Sequence, residues 1–372
     1  MNRSGYFRAA YWPSLDGVRG IAVLIVMLFH AGVPHVETGP IGVDLFFVLS
    51  GLLITSLLIA EWERTGTIRL RQFYARRALR LVPALMLMLV AGSIYAAIRL
   101  SEADAAAVRH DSYFAAVYLT NLATARHWLH TDWLNHTWSL SVEEQFYILW
   151  PPILWTCVRV MESGRRQRLS VIAALCALFA AAGIARPWLA DTSIFGTGGL
   201  DTRGDGLLLG CVAGLLVSWN LLPMSPRALA LLKWTGVVAG AFLAYMVTRP
   251  YYQSVYLRWL SAINLAAVLV YLSLLVAPLP PVRWFLETKP LVWIGRRSYG
   301  IYLWHYPVFG AFPRVPSTWL YSNPKALVIR FALAIIVAAL SYAFVERPCL
   351  RLKRRFGSVV AEAAPTTTSA VL

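Results

Sequence analysis

Two apolar runs near the start of the chain limit what it can fold into. They cover residues 21–29 and 43–58, and a short linker of glycine, proline and polar residues joins them. Arg19, His30 and Asp44 lie in or beside these runs. An ionisable group this close to lipid is costly unless it has a partner or faces a water-filled cavity, so all three are candidates for function. The alternative is a simple hairpin with an interfacial histidine and a snorkelling arginine.

The composition of the whole chain supports a membrane protein. Of the 372 residues, 58% are hydrophobic and only 14% are charged, against about a quarter charged in a typical soluble domain. Hydropathy predicts an all-α, polytopic protein with about ten membrane-spanning helices and no separate soluble domain. The predicted spans are 18–34, 41–60, 80–98, 142–160, 169–185, 205–222, 234–249, 259–277, 295–312 and 326–346.

The net charge of +16 could suggest nucleic-acid binding, but topology explains it better. With both termini placed in the cytoplasm, most of the 34 lysines and arginines fall on the cytoplasmic side, as the positive-inside rule requires. We therefore expect a multi-pass protein of the cell inner (cytoplasmic) membrane that contacts the lipid bilayer and binds no nucleic acid. The sequence does not indicate an oligomeric state.

Two smaller features follow from this topology. Residues 112–124 are apolar but too few to cross a membrane, so they predict an interfacial or re-entrant segment in the long outer loop. The cysteines lack metal-ligand spacing and lie outside the predicted outer loops, so we expect buried free thiols and no metal site. These cysteines are Cys157, Cys176, Cys211 and Cys349.

Histidine positions single out the outer half of the membrane. Of the seven histidines, only His30 and His305 fall inside predicted spans. His30 lies about 20 Å along the helix from the cytoplasmic start of the first span. A histidine held in a membrane cavity can act as a general base near neutral pH. Pro307, two residues after His305, predicts a broken or kinked helix.

Carboxylates lie at the outer ends of the second and fourth predicted spans. Asp44 starts the second span, and Glu143 and Glu144 start the fourth, so all three could approach His30. A carboxylate that orients an imidazole and stabilises its charged form is a common catalytic arrangement. The alternative is that these acids cap helix N-termini, where negative charge is favourable. Both interpretations stay open for Asp44, whereas we expect catalysis for Glu143.

An arginine pair lies on the opposite side of the membrane. Arg77 and Arg80 are at i and i+3, hence on one helix face. Two guanidiniums at a cytoplasmic border can bind phosphates through bidentate contacts, although positive-inside anchoring is the simpler explanation from spacing alone. A long, thin cofactor that enters from the cytoplasm and presents its reactive end to His30 would suit coenzyme A.

Five motifs follow one another between residues 13 and 348. They are LDGVRGIAVLIVMLFH, GVDLFFVLSGLLIT, FYARRALRLVPAL, WSLSVEEQFYILWP and RSYGIYLWHYPV. Together they resemble the acyltransferase-3 family of bacterial integral-membrane O-acyltransferases. The resemblance implies a ten-spanning enzyme that uses cytoplasmic acyl-CoA, with acetyl-CoA as the default donor. The acceptor would be a hydroxyl of a sugar, a cell-surface glycan, lipopolysaccharide or a macrolide-type product.

The resemblance also implies roles for individual residues. His30 would be the catalytic base, Arg19 would be essential, and Glu143 would be the partner carboxylate, although Glu144 stays an alternative to Glu143. Asp44 stays a further catalytic candidate. The acyl-CoA site would contain Arg77 and Arg80, with Arg76 beside them. The candidate acceptor-site residues are Glu144, Arg203, Tyr302 and His305.

We expect residues 1–348 to form a transmembrane acyltransferase domain and residues 349–372 to form a basic, disordered cytoplasmic tail. Some family members carry a C-terminal hydrolase-like domain; this sequence ends soon after the tenth predicted span, so we expect it to act alone. The rival function is a membrane carrier or exporter of an anionic or acylated solute, with intramembrane charges along its path. Carriers often contain inverted repeats, which we do not find here. The sequence does not determine the acceptor or the acyl length. It also does not determine whether transfer is direct or passes through an acyl-histidine intermediate.

Overall fold

The computed structural model describes residues 11–161, 164–192, 194, 198–250, 252–311 and 324–352. Over these residues the chain is helical and contains no strand. A 3₁₀ turn (Asn135–Thr137) precedes α6, and a π-helical turn (Tyr342–Glu346) joins the last two helices. The helices are α1 (Pro13–His30), α2 (Ile41–Thr65), α3 (Leu70–Arg99), α4 (Glu102–Ala116), α5 (Thr120–Ala125), α6 (Trp138–Val160), α7 (Arg165–Thr192), α8 (Leu200–Arg203), α9 (Asp205–Ser218), α10 (Pro226–Val247), α11 (Gln253–Val276), α12 (Pro280–Leu286), α13 (Lys289–Arg296), α14 (Ser298–Gly310), α15 (Pro324–Ser341) and α16 (Arg347–Leu352).

Seven helical segments in the described part of the chain are long and apolar enough to cross a membrane. They are α1, α2, α3, α7, α10, α11 and the C-terminal segment Lys325–Leu352. The spans predicted at 205–222 and 295–312 correspond to α9 and α14, which have only 14 and 13 residues. A helix of that length is too short to cross the hydrocarbon core alone. The all-α membrane character is therefore confirmed, whereas the count of ten spans and the placement of the termini remain predictions.

The smaller predictions have mixed outcomes. Residues 112–124 form no span, because α4 ends at Ala116 and the chain turns at Tyr118, whose φ is 56°. The four cysteines are free thiols, as predicted. The prediction that they are buried is wrong for most of them: only Cys211 is buried, and Cys176 is exposed. Cys176 lies on α7, whose most apolar stretch buries no residue inside the protein, although Arg186 near the end of the helix is buried.

The predicted C-terminal tail is described only at its start. Helix α16 extends to Leu352, so residues 349–352 are helical. The rest of that tail, residues 353–372, and the N-terminal residues 1–10 lie outside the described residues.

Glycines hold α2 and α9 in close contact. A Cβ atom at Gly51 or at Gly210 would lie 2.1 Å from a backbone carbonyl oxygen of the other helix. Small residues let membrane helices approach until their backbones touch. Asp44 lies in the first turn of α2, and Arg203 lies just before α9, so this close packing sets the distance between two candidate site residues.

We expect Gly210→Ala to destabilise the protein, because its new methyl group would meet the carbonyl oxygen of Val48. Overpacking of this kind costs about 1–3 kcal/mol. The matched control is Gly240→Ala in α10, where the nearest atom of another residue would be 3.9 Å from the new Cβ. Thermal unfolding in one detergent should show a lower Tm for Gly210→Ala only. Equal Tm values would contradict the tight α2–α9 contact.

Candidate active site

Two adjoining cavities occupy the bundle. We name one the arginine cavity, after Arg77 and Arg80 in its wall, and its volume is about 250 Å³. The other is the histidine cavity, which contains His30 and has a volume of about 520 Å³. Val43 and Tyr302 line both cavities and therefore lie between them. The predicted base and the predicted arginine pair thus face neighbouring spaces.

His30 is the last residue of α1, and its side chain meets α14. Its Nδ1 lies 3.1 Å from Nε2 of His305, which is fully buried. The Nδ1 of His305 lies 2.6 Å from the carbonyl oxygen of Tyr302 in the preceding turn. The two imidazoles therefore form a chain that ends on the backbone of α14.

The hydrogen bonds of this chain determine where the protons lie. A carbonyl oxygen can only accept, so Nδ1 of His305 carries a proton and Nε2 of the neutral ring accepts. Nδ1 of His30 must then donate to His305, and Nε2 of His30 is left with a free lone pair. An imidazole with an unprotonated Nε2 and a fixed Nδ1–H can accept a proton from a substrate hydroxyl. The side chain that orients His30 is another histidine, and the backbone of Val26 also hydrogen-bonds its ring.

Pro307 lies inside α14, and the helix continues past it to Gly310. The predicted break in the helix is therefore wrong. Proline has no N–H, and the carbonyl oxygen of Leu303, one turn earlier, loses its usual donor. His136 supplies the replacement, with its Nε2 3.2 Å from that oxygen. Burial lowers the pKa of His136 to about 3, so its ring is neutral near neutral pH and Nε2 is the donor. The proline thereby ties the 3₁₀ turn before α6 to α14.

The rest of the histidine cavity is rich in neutral hydrogen-bonding groups. Its wall includes amide, hydroxyl and imidazole side chains as well as one guanidinium. These residues are Asn121, Thr124, His127, Asn135, His136, Arg203 and Gln253. Such a lining suits a ligand with several hydroxyl groups.

Asp44 is buried and belongs to an ion pair. One of its carboxylate oxygens is 3.1 Å from a guanidinium nitrogen of Arg203, and Tyr256 donates its hydroxyl to the other oxygen. Arg203 faces the histidine cavity, whereas Asp44 lines neither cavity. Asp44 therefore makes no hydrogen bond or ion pair with His30 in this structure: its carboxylate faces Arg203, because α2 packs against α9 on that side. In this structure Asp44 holds Arg203 at the cavity wall.

Arg77, on α3, lines the arginine cavity and contacts two residues of α6. Its Nε is 3.3 Å from a carboxylate oxygen of Glu144, and its guanidinium lies 3.1 Å from the centre of the Tyr147 ring. A charged pair and an aromatic face together fix the plane of this guanidinium. Glu144, a predicted acceptor-site residue, lines neither cavity and instead positions Arg77.

Glu143 faces the arginine cavity and does not contact His30. It accepts a hydrogen bond of 2.6 Å from Ser50 and a longer one of 3.4 Å from Tyr147. The predicted Glu143–His30 pairing is therefore absent from this structure. The physical reason is the direction of the side chain: Glu143 points toward α2, on the other side of the boundary between the cavities.

The remaining predicted arginines differ in their surroundings. Arg19 and Arg80 both line the arginine cavity, and Arg19 pairs with Asp16 at 3.1 Å. Arg80 has no carboxylate within ion-pair distance among the described residues. Arg76 does not line the cavity and contacts Glu61 at 3.6 Å. Of the three arginines predicted to bind acyl-CoA, Arg77 and Arg80 are therefore placed to meet a ligand.

Several site residues were missed by sequence reasoning. They are Ser50, Ser139, His136, Tyr147 and Tyr256. The signal for His136 was its position directly before a predicted span, in the same outer region as His30. The contacts of the other four cross between helices and leave no local pattern. In the described ranges, no group of three or more histidine, cysteine or acidic side chains is arranged to hold a metal ion.

Comparison with known proteins agrees with the motifs. Residues 12–346 match the family model of an acyltransferase domain, Acyl_transf_3. The peptidoglycan O-acetyltransferase OatA of Listeria monocytogenes is 32% identical over 94% of this chain and 57% of its own length. The putative peptidoglycan O-acetyltransferase YrhL of Bacillus subtilis is 34% identical over 91% of this chain and 55% of its own length.

A third relative has a similar identity and coverage. The O-acetyltransferase OatA of Staphylococcus aureus is 31% identical over 91% of this chain and 57% of its own length. The chain thus spans about half the length of the curated relatives it matches, and no solved structure matches it. Because the family model covers nearly all of the sequence, the chain belongs to the acyltransferase-3 family of membrane acyltransferases.

Proposed function

We propose that this chain is a membrane O-acetyltransferase that takes an acetyl group from acetyl-CoA in the arginine cavity and gives it to a glycan hydroxyl in the histidine cavity. The observation that supports this most is that the two cavities adjoin at Val43 and Tyr302. In this proposal the cavity with the arginines is the donor site, and the cavity with His30 is the acceptor site across one boundary.

The arginine cavity has features expected of a coenzyme A site. Its guanidiniums can bind phosphates, and most of its wall is apolar or aromatic. Ser56 and Ser298 also line it, and the hydroxyl of each is buried without a hydrogen-bond partner. A buried hydroxyl without a partner costs free energy until a ligand supplies one. The two amides of a pantetheine arm are suitable partners for these serines.

The acceptor is proposed from the histidine cavity and from the relatives. Two of the relatives are named for acetylation of peptidoglycan. A cavity of about 520 Å³ with several neutral polar groups fits one or two sugar rings. A cell-wall glycan is therefore the acceptor we expect, ahead of a free sugar or a macrolide-type product. Cytoplasmic entry of the donor and outward entry of the acceptor follow from the positive-inside topology.

We expect direct transfer with His30 as the base. Nε2 of His30 removes the proton from the acceptor hydroxyl, and the oxygen attacks the thioester carbon. The carbon–sulfur bond breaks, the sulfur leaves as a thiolate, and the proton on Nε2 passes to that sulfur. The products are an acetyl ester and free CoA, and the base is regenerated. An acyl-histidine intermediate stays the alternative.

The test uses the purified chain in proteoliposomes with acetyl-CoA. Free CoA should appear in proportion to ester only when a muropeptide or a chito-oligosaccharide is added. A macrolide serves as the competing acceptor in a parallel reaction. Movement of unmodified solute without CoA release would overturn the proposal and favour a carrier.

Arg80 provides a separate test of the donor site. We expect Arg80→Gln to raise the KM for acetyl-CoA roughly 10- to 100-fold, since one hydrogen bond to a charged group contributes about 1.5–3 kcal/mol. The kcat should change little, because Arg80 lines the arginine cavity and the base lies in the other cavity. The control is Arg71→Gln, an arginine of the same helix that lines neither cavity. Equal KM values for both variants would count against phosphate binding by Arg80.

A further inference from the structure

We propose that Val43 and Tyr302 form a neck that selects the acyl group by its cross-section. The chain would accept unbranched acyl groups and reject those branched at the carbon next to the carbonyl. This inference rests on the proposed function, because the acyl group reaches the acceptor only by passing between the two cavities. Val43 and Tyr302 are the residues that line both cavities.

Tyr302 forms a rigid side of the neck. Its hydroxyl donates to the carbonyl oxygen of His136 at 2.8 Å and lies 2.6 Å from the hydroxyl of Ser139. The residue is only 6% exposed. Moving the ring aside would break both hydrogen bonds in a buried environment, where unpaired polar groups are costly. The ring therefore stays in place when a donor arrives.

Val43, in the first turn of α2, is the second residue of the proposed neck. Its backbone N–H donates to the carbonyl oxygen of Pro40 at 2.9 Å. Next to it, a Cβ at Gly42 would lie 2.4 Å from the carbonyl oxygen of Ala22, so α2 touches α1 at this level. The valine side chain is β-branched and restricted at χ1. Neither its backbone nor its side chain can easily retreat.

A rigid neck distinguishes acyl groups by their width rather than by their length. A straight acyl chain presents the same cross-section at every CH₂, so acetyl and propionyl groups differ little at one narrow point. A branch at the α carbon adds a methyl group at that same point and forces an overpacked contact. Val43→Ala removes two methyl groups from one wall and should make room for the branch.

The experiment compares acetyl-CoA, propionyl-CoA and isobutyryl-CoA as donors with a muropeptide acceptor. The measured quantity is the ratio of kcat/KM for isobutyryl-CoA to kcat/KM for acetyl-CoA. We expect Val43→Ala to raise this ratio about tenfold or more, as one methyl group in a pocket is worth at least that factor. The matched control is Val48→Ala: Val48 is a fully buried valine of the same helix, lines neither cavity and should leave the ratio unchanged.

Val43→Phe provides the opposite change and guards against a folding defect in the alanine variant. It should abolish acetyl transfer while acetyl-CoA still binds, as measured by calorimetry. If the wild type transfers acetyl and neither substitution alters transfer or the ratio, the neck is overturned and the proposed function survives. If the wild type releases no CoA with any acceptor, the proposed function is overturned together with the neck.

Discussion

His30→Ala is expected to lower acetyl transfer by at least about 100-fold, because general-base catalysis contributes factors of about 10²–10⁴. The two neighbouring imidazoles cannot replace it directly: His305 is fully buried and lines neither cavity, and the Nε2 of His136 donates to Leu303. Binding of acetyl-CoA should be unchanged, since His30 does not line the arginine cavity. CoA release and calorimetric binding of acetyl-CoA measure the two effects separately.

The control for this experiment is another histidine from the same region. His35 lies in the linker between α1 and α2, is exposed and has a φ of 61°. Asparagine tolerates that backbone conformation better than alanine, so His35→Asn is the matched variant. It should retain wild-type transfer. Full activity in His30→Ala, with folding and donor binding intact, would remove His30 from the mechanism.

Much of the fold followed from local sequence patterns. Long apolar runs predicted most of the helices, because a helix is the one open-chain structure that satisfies its own backbone in lipid. The i, i+3 spacing of Arg77 and Arg80 predicted that they share a face, and both line one cavity. These properties depend on residues close together in the chain. They could therefore be predicted without knowing how the helices pack.

The partner of the base could not be predicted in this way. Glu143 was favoured because it begins a span near the predicted level of His30. Position along a span predicts how deep a residue lies in the membrane, but not the direction in which its side chain points. Helix α6 begins at Trp138, so Glu143 lies in its second turn, and the rotation of the helix points it at Ser50 of α2. The residue that does contact His30 is His305, which lies 275 positions away. Only the packing of α1 against α14 brings the two together.

The role of Pro307 shows the same limit. The sequence identified a proline that would disturb a helix, and the expectation was a break or a kink. In the structure the effect is chemical: the unpaired carbonyl oxygen of Leu303 accepts from His136. A proline's consequence for its helix depends on whether another donor can reach the freed oxygen.

His305→Leu tests whether His305 positions the base. Leucine cannot accept the Nδ1 proton of His30, so the His30 ring would lose its hydrogen bond to His305 and keep only the backbone contact with Val26. We expect kcat to fall on the order of 100-fold, within the range that general-base catalysis contributes. The KM for acetyl-CoA should stay the same, because neither histidine lines the arginine cavity.

His305→Gln separates positioning from simple packing. The side-chain oxygen of glutamine can lie close to where Nε2 of histidine was and accept from Nδ1 of His30. This variant should therefore recover much of the kcat that leucine loses, although leucine is the better match to an apolar core. If both variants lose kcat equally, or if KM rises with the loss, His305 supports the packing of α14 rather than the base. Recovery by glutamine alone would mean that the hydrogen bond, and not the bulk of the ring, is what His30 requires.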